Sequence, residues 1–178
     1  EAGEQWEVVG RAQAKAFYER YLRDARFKGQ NLDHAFEAKY KLATYALDEK
    51  NPKLYNKLLD EILADFQAVA SGANATRLGP MARHYAAQAA FREVQARFDV
   101  LVKDQLTGNE EKDVKLLMET KPPEIKEFNA IAERMVNYGD LEYTLAALYL
   151  MGSAQMYFAN LGFGLKCPAK FDPDECDA

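Results

Sequence analysis

The sequence predicts an all-α protein, on three observations. Ala occurs 28 times against 16 for Val, Ile and Thr combined, and Ala loses no side-chain entropy in a helix while β-branched residues are stiff there. No run of about four to eight residues alternates apolar and polar in the manner of a half-buried strand. Helix start and stop signals recur along the chain, with Asn or Asp before apolar stripes and Gly or Pro at the joints. At 178 residues, 48% apolar and 29% charged, the chain suits one compact domain or a short run of repeats with a buried core.

The punctuation predicts six to seven helices. The first covers Gln5 to Asp24 and ends near Lys28-Gly29-Gln30-Asn31, where Gly suits a left-handed cap. The second starts at Asn31 or Asp33, both good N-caps, and reaches Asp48. Asn51-Pro52 restarts the chain, since Asn caps and Pro fits the first helical position, where its missing N–H costs nothing. The third helix then shows Leu54, Tyr55, Leu58, Leu59, Ile62, Leu63 and Phe66 at spacings of three and four, an apolar stripe facing a core. A polar loop over Ser71 to Leu78 precedes Gly79-Pro80 and a fourth helix, Met81 to about Gln105. Tyr85, Ala86, Ala89, Phe91, Phe98, Leu101 and Val102 are its packing residues. Thr107-Gly108-Asn109 breaks it, and Glu110 to Met118 reads as a short helix. Lys121-Pro122-Pro123 opens the next, with Ile125, Phe128, Ile131, Ala132, Met135 and Val136 buried. Asn137-Tyr138-Gly139-Asp140 stops that one, and a last helix runs from Leu141 to Leu161. The expected layout is one helical domain over residues 1–161 and an irregular tail over 162–178.

Charge and chemistry exclude several classes. A net charge of −5 and a pI near 5.2 argue against a nucleic-acid partner, which requires clustered Lys and Arg. No apolar run approaches the ~18 residues that span a bilayer. Cys167 and Cys176 lie close together in the tail, which fits a disulfide in an oxidising compartment, the alternative being two unpaired thiols. A zinc site would need two more ligands, and the only histidines, His34 and His84, are far off in sequence. The residues three before them are Asn31 and Met81, so the Glu-x-x-His pairs of a di-iron bundle are absent. No Gly-rich phosphate loop, H-E-x-x-H or nucleophile elbow occurs. Glu110-Glu111 and Asp174-Glu175 read as solvated charge. The sequence therefore nominates no catalytic residue, metal or cofactor. It starts at Glu1 with no initiator Met or leader pattern, as expected of a matured chain or a piece of a longer one.

Internal repetition adds a family resemblance. Trp6 is followed by Val9-Gly10, an apolar-plus-small pair after a large residue. Leu42-Ala43 stands 33 residues on, Ala86-Ala87 a further 44, and Met151-Gly152 a further 65. The first interval is close to the ~34-residue period of tetratricopeptide repeats. The run Met81-Ala-Arg-His-Tyr-Ala-Ala-Gln-Ala-Ala-Phe, with Asn137-Tyr-Gly-Asp-Leu-Glu-Tyr-Thr-Leu-Ala-Ala-Leu-Tyr-Leu-Met-Gly, resembles degenerate tetratricopeptide proteins of the bacterial envelope. Those of myxobacterial gliding-motility machinery are included in the resemblance. Leu145 stands where that pattern has Ala, and Leu150 where it has Arg.

The resemblance implies stacked antiparallel helical hairpins in a right-handed superhelix, ending after the first helix of a fourth unit. It further implies a scaffold in the periplasm or at the outer membrane that binds other envelope proteins or peptides. Its concave groove would be lined three positions before and one after each small residue. That selects Glu7 and Arg11, Tyr40 and Thr44, His84 and Gln88, Tyr149 and Ser153, with Met156 and Tyr157 one turn on; the alternative is that these are ordinary solvent-facing positions. Two other functional classes remain open. One is an apolar-ligand or lipid carrier, in which Ala-rich helices and aromatics enclose a pocket. The other is a helical enzyme, for which no constellation of acid, base and metal ligand emerges.

Overall fold

The computed structural model describes residues 10–24, 31–73 and 75–165. Among them all regular structure is helical, in seven α-helical segments. These are α1 (Arg11–Arg23), α2 (Leu32–Asp48), α3 (Pro52–Ala70), α4 (Pro80–Leu101), α5 (Glu110–Lys115), α6 (Lys121–Glu133) and α7 (Leu141–Phe163).

The caps explain most boundaries. Asn31 accepts from the His34 N–H, and Asn51 from that of Leu54, with Pro52 at the head of α3. The three-residue turn between α2 and α3 closes with two bonds, Asn51 N–H to Ala46 O at 2.8 Å and Lys50 N–H to Leu47 O at 2.9 Å. This is a Schellman closure with Lys50 at φ 57°, where Gly is the usual choice. Asp33, on α2, caps a different helix: its Oδ1 accepts from the Ala82 N–H at 2.9 Å, in the first turn of α4. Gly79 makes that approach feasible, because a Cβ there would fall 2.2 Å from the Asp33 carboxylate.

Three expectations need correction, and a fourth holds with an addition. Gly10 does not lie inside the first helix. It is the extended N-cap residue of α1. The interval from Gly10 to Ala43 therefore spans one helix-to-helix step, from the head of α1 into α2. α4 stops at Leu101, four residues short of Gln105, because the Lys103 N–H turns back to Val100 O and the Leu101 carbonyl is taken by Lys121. Lys121-Pro122-Pro123 opens α6 as expected, with Pro in its first turn, but no break in the chain precedes it. A π-helical turn over Leu116–Thr120 joins α5 to α6, and the Lys121 N–H reaches back five residues to Leu116 O. Pro122 and Pro123 have no N–H to continue an α ladder, and the wider turn accommodates their rings. Val136, expected to be buried, is 61% exposed. It lies in a 3-10 stretch, Arg134–Tyr138, whose tighter winding rotates it off the apolar face.

By their packing the described residues fall into two compact units. The first comprises the residues up to Ala90 with Val136–Tyr143; the second comprises Phe91–Met135 and Thr144 onward. In the first unit α2 buries two faces. Phe36 and Ala43 pack with Leu59, Ile62 and Phe66 of α3 and with Leu78, Ala82, Ala86 and Ala89 in and before α4. Ala38, Leu42 and Tyr45 pack with Ala14 and Tyr18 of α1. Salt bridges from Arg11 to Asp48 and Lys15 to Glu49 tie the head of α1 to the end of α2, so the two helices run antiparallel. In the second unit the buried residues include Val94, Leu101, Leu117, Ile125, Phe128, Ile131, Met135, Ala147, Leu150, Ala154 and Leu161. Leu150 is only 7% exposed, a position where Arg would be costly. Burying each large apolar side chain is worth about 1.5–3 kcal/mol. Cys167 and Cys176 lie outside the described residues.

Candidate interaction surface

Among the described helices α7 is the most apolar, and it carries one charged residue, Glu142. Ala147, Leu150, Ala154 and Leu161 recur at helical spacing and are buried. On the opposite side of the same helix Leu145, Leu148, Tyr149, Met156 and Phe163 recur at helical spacing and are exposed, at 55, 51, 74, 69 and 89%. A helix apolar all round normally lies in an interior, so one face of α7 is in the wrong solvent. No helix among the described residues is long and apolar enough to cross a membrane, and an exposed apolar face of this kind marks an interaction site.

The flank of α7 is pinned from within the second unit. Lys121 is fully buried, and its Nζ donates to Leu101 O at 2.8 Å and to Glu124 Oε2 at 2.8 Å, and lies 2.6 Å from Asp104 Oδ2. All three ammonium protons thus have acceptors, and the Tyr157 ring centroid lies 5.8 Å away. Burial pulls the Lys121 pKa down, but hydrogen bonds to Asp104 and Glu124 and the Glu124 charge outweigh it and leave the value raised. The Tyr157 hydroxyl donates to the Asp104 carbonyl, and burial raises its own pKa. Ser153 Oγ donates to Tyr149 O at 2.9 Å, within its helix.

A second constellation belongs to the first unit. Tyr40 stacks on Tyr85 with centroids 5.0 Å apart, and His84 meets Tyr85 and Tyr143 at 5.6 and 5.4 Å. His84 Nδ1 lies 3.1 Å from Asp140 Oδ2, while Asp140 Oδ1 accepts from the Tyr143 N–H at 3.0 Å. One carboxylate thus orients the imidazole and caps the start of α7. Burial, then the nearby Tyr40, Glu142 and Asp140, pushes the Tyr143 pKa up to about 12. Burial raises Tyr40 as well. These phenols stay neutral at physiological pH and act as packing surfaces and hydrogen-bonding groups.

The sequence-nominated residues therefore separate into groups. Tyr40 and His84 share the aromatic cluster. Thr44 is half-buried and donates to Lys41 O at 2.8 Å, and Gln88 is half-buried. Arg11 is engaged with Asp48, with the Tyr45 carbonyl and with the Tyr45 ring, 4.7 Å from its guanidinium. Tyr149 and Met156 stand on the exposed α7 face, Ser153 beside them, and Tyr157 in the Lys121 network. Glu7 lies outside the described residues. Leu145, Leu148 and Phe163 were not nominated. Their signal was present as a second apolar stripe opposite the buried one, on a helix with a single charge. Compared with protein families, curated proteins and solved structures, the chain matches none.

Proposed function

We propose that this chain is a non-enzymatic protein–protein interaction module that presents the exposed face of α7 to a protein partner. One observation carries the reading: large apolar side chains line the side of α7 opposite its buried face, with no charge among them. The resemblance to tetratricopeptide proteins of the bacterial envelope supports placing the module in a periplasmic or outer-membrane assembly, of which gliding-motility machinery is one example. The Tyr40–His84 cluster is a second contact region, mixing aromatic and polar groups suited to a peptide or partner helix.

The test is site-specific photocrosslinking of the full chain in its native cells. A photoreactive residue at Leu148 or Met156 should give discrete protein adducts, whereas one at Lys57, on the exposed side of α3, should give none. Absence of adducts from both α7 positions would overturn the reading. A stoichiometric lipid released on denaturation would replace it with the carrier function.

A further inference from the structure

Resting on that reading, we infer that the partner of the α7 face is a second copy of this chain, bound through an antiparallel, two-fold pairing of α7 helices that cross at Gly152. The arrangement of the face about Gly152 is its own complement. Leu148 and Met156 stand four residues to either side, and Leu145 and Ala159 seven to either side. A two-fold axis at Gly152 sets Leu148 against Met156 of the other copy and Leu145 against Ala159, a large residue against a small one. Tyr149 meets Gln155 along the margin. A symmetric interface needs one patch that complements itself, and this patch does.

Gly152 supplies an independent observation. It sits mid-helix, where Gly is about 0.8–1 kcal/mol worse than Ala, and it is exposed. A Cβ built on it meets nothing within 4 Å. No contact within the described structure requires a glycine here, whereas a helix crossing from outside does, because a missing side chain allows close axial approach. Charge points the same way. From Leu145 to Phe163 the face has no charged side chain, Glu142 lying three residues before Leu145, so the centre of the pairing is free of like-charge repulsion and a partner chosen by charge would find little to read there. The five exposed large side chains leave on the order of 600 Å² in water, near the ~800 Å² that each partner contributes to a standard interface.

Sedimentation velocity of the full chain across concentrations tests this. The parent, of 20.1 kDa, should show a concentration-dependent species of twice its mass. L148E and M156E should each raise the dimer dissociation constant at least about 100-fold, as loss of a central contact does, with unchanged helical circular dichroism. The double variant L148E/M156K should recover most of the loss, because the register places the two new charges opposite each other across the axis. G152A should raise the monomer's melting temperature while weakening association. A parent that stays monomeric throughout overturns the inference, as does a dimer indifferent to L148E and M156E. If the chain is monomeric but crosslinks other proteins from Leu148, only the self-pairing fails. If it does neither, the interaction reading fails as well.

Discussion

Replacing Lys121 by Met should cost less stability than removing the two carboxylates that hold it. Lys121 has no exposed side-chain surface, whereas the side chains of Asp104 and Glu124 are 49 and 43% exposed. In K121M the carboxylates return to water, and each lost pair is worth about 0–1 kcal/mol. The Leu101 carbonyl loses this donor at about 1–3 kcal/mol. Relief of the ammonium's desolvation offsets part of that, for a net loss of about 1–2 kcal/mol. In D104A/E124A the ammonium stays buried with one neutral acceptor, and such an uncompensated charge costs about 3–5 kcal/mol. The half-solvated partners place it near the low end, about 3 kcal/mol. Adding K121M to that double variant should recover part of its loss, the signature of coupled groups. Urea unfolding followed by far-ultraviolet circular dichroism and tyrosine fluorescence reads the order. A K121M variant at least as unstable as D104A/E124A would refute the charge-satisfaction argument. The pH dependence has a definite sign. The folded pKa lies above the ordinary 10.5, so the contribution is fully present below about pH 10.5 and is lost as pH rises through the folded value.

Three further outcomes are expected. K50G should raise stability by about 0.5–1 kcal/mol, because Lys50 sits at φ 57° where Gly is unstrained; no gain on thermal unfolding would count against the strain. I62A should lose about 2–5 kcal/mol, since Ile62 is fully buried in the α2–α3–α4 core, as measured by the urea midpoint. Tyr143 should ionise near pH 12 against an ordinary 10.0, and Y143F should remove that step from the ultraviolet phenolate titration. Its raised value contributes stability below about pH 10 that is lost as pH climbs towards 12.

What the sequence made legible was local. Asn31, Asn51 and Pro52 mark helix starts by chemistry that acts over three residues, and each falls where expected. Gly139 marks a stop, at φ 68°. What stayed hidden depends on residues distant in the chain. Asp33 looks like a cap for its own helix, yet it caps α4, 49 residues on. Lys121 stands in the sequence only as the residue before two prolines at a helix start, and only folding brings Asp104 and the end of α4 around it. The interval from Gly10 to Ala43 matches a repeat period in number, but helix lengths rather than spacing decide whether it spans one helix or two. The candidate site was half legible. Tyr149 and Met156 come from a groove rule, while Leu145, Leu148 and Phe163 need the second face of α7 to be recognised as solvent-facing, and that depends on which face the second unit buries.

The two features of α7 are linked by energetics. A surface helix that exposes large apolar side chains binds well only if it is already ordered, since each rotamer-rich side chain immobilised on association costs about 0.5–1.5 kcal/mol. Tyr157, one residue from Met156, is fixed to the Asp104 carbonyl and lies over the Lys121 ammonium. Its hydrogen bond and the buried Ala147, Leu150, Ala154 and Leu161 anchor the helix from the side away from the exposed face. Gly152 works in the opposite direction, loosening the helix backbone at its centre. A helix held this firmly elsewhere tolerates that loss, and the structure offers no internal contact that the glycine serves. The glycine is therefore best understood through what approaches it from outside.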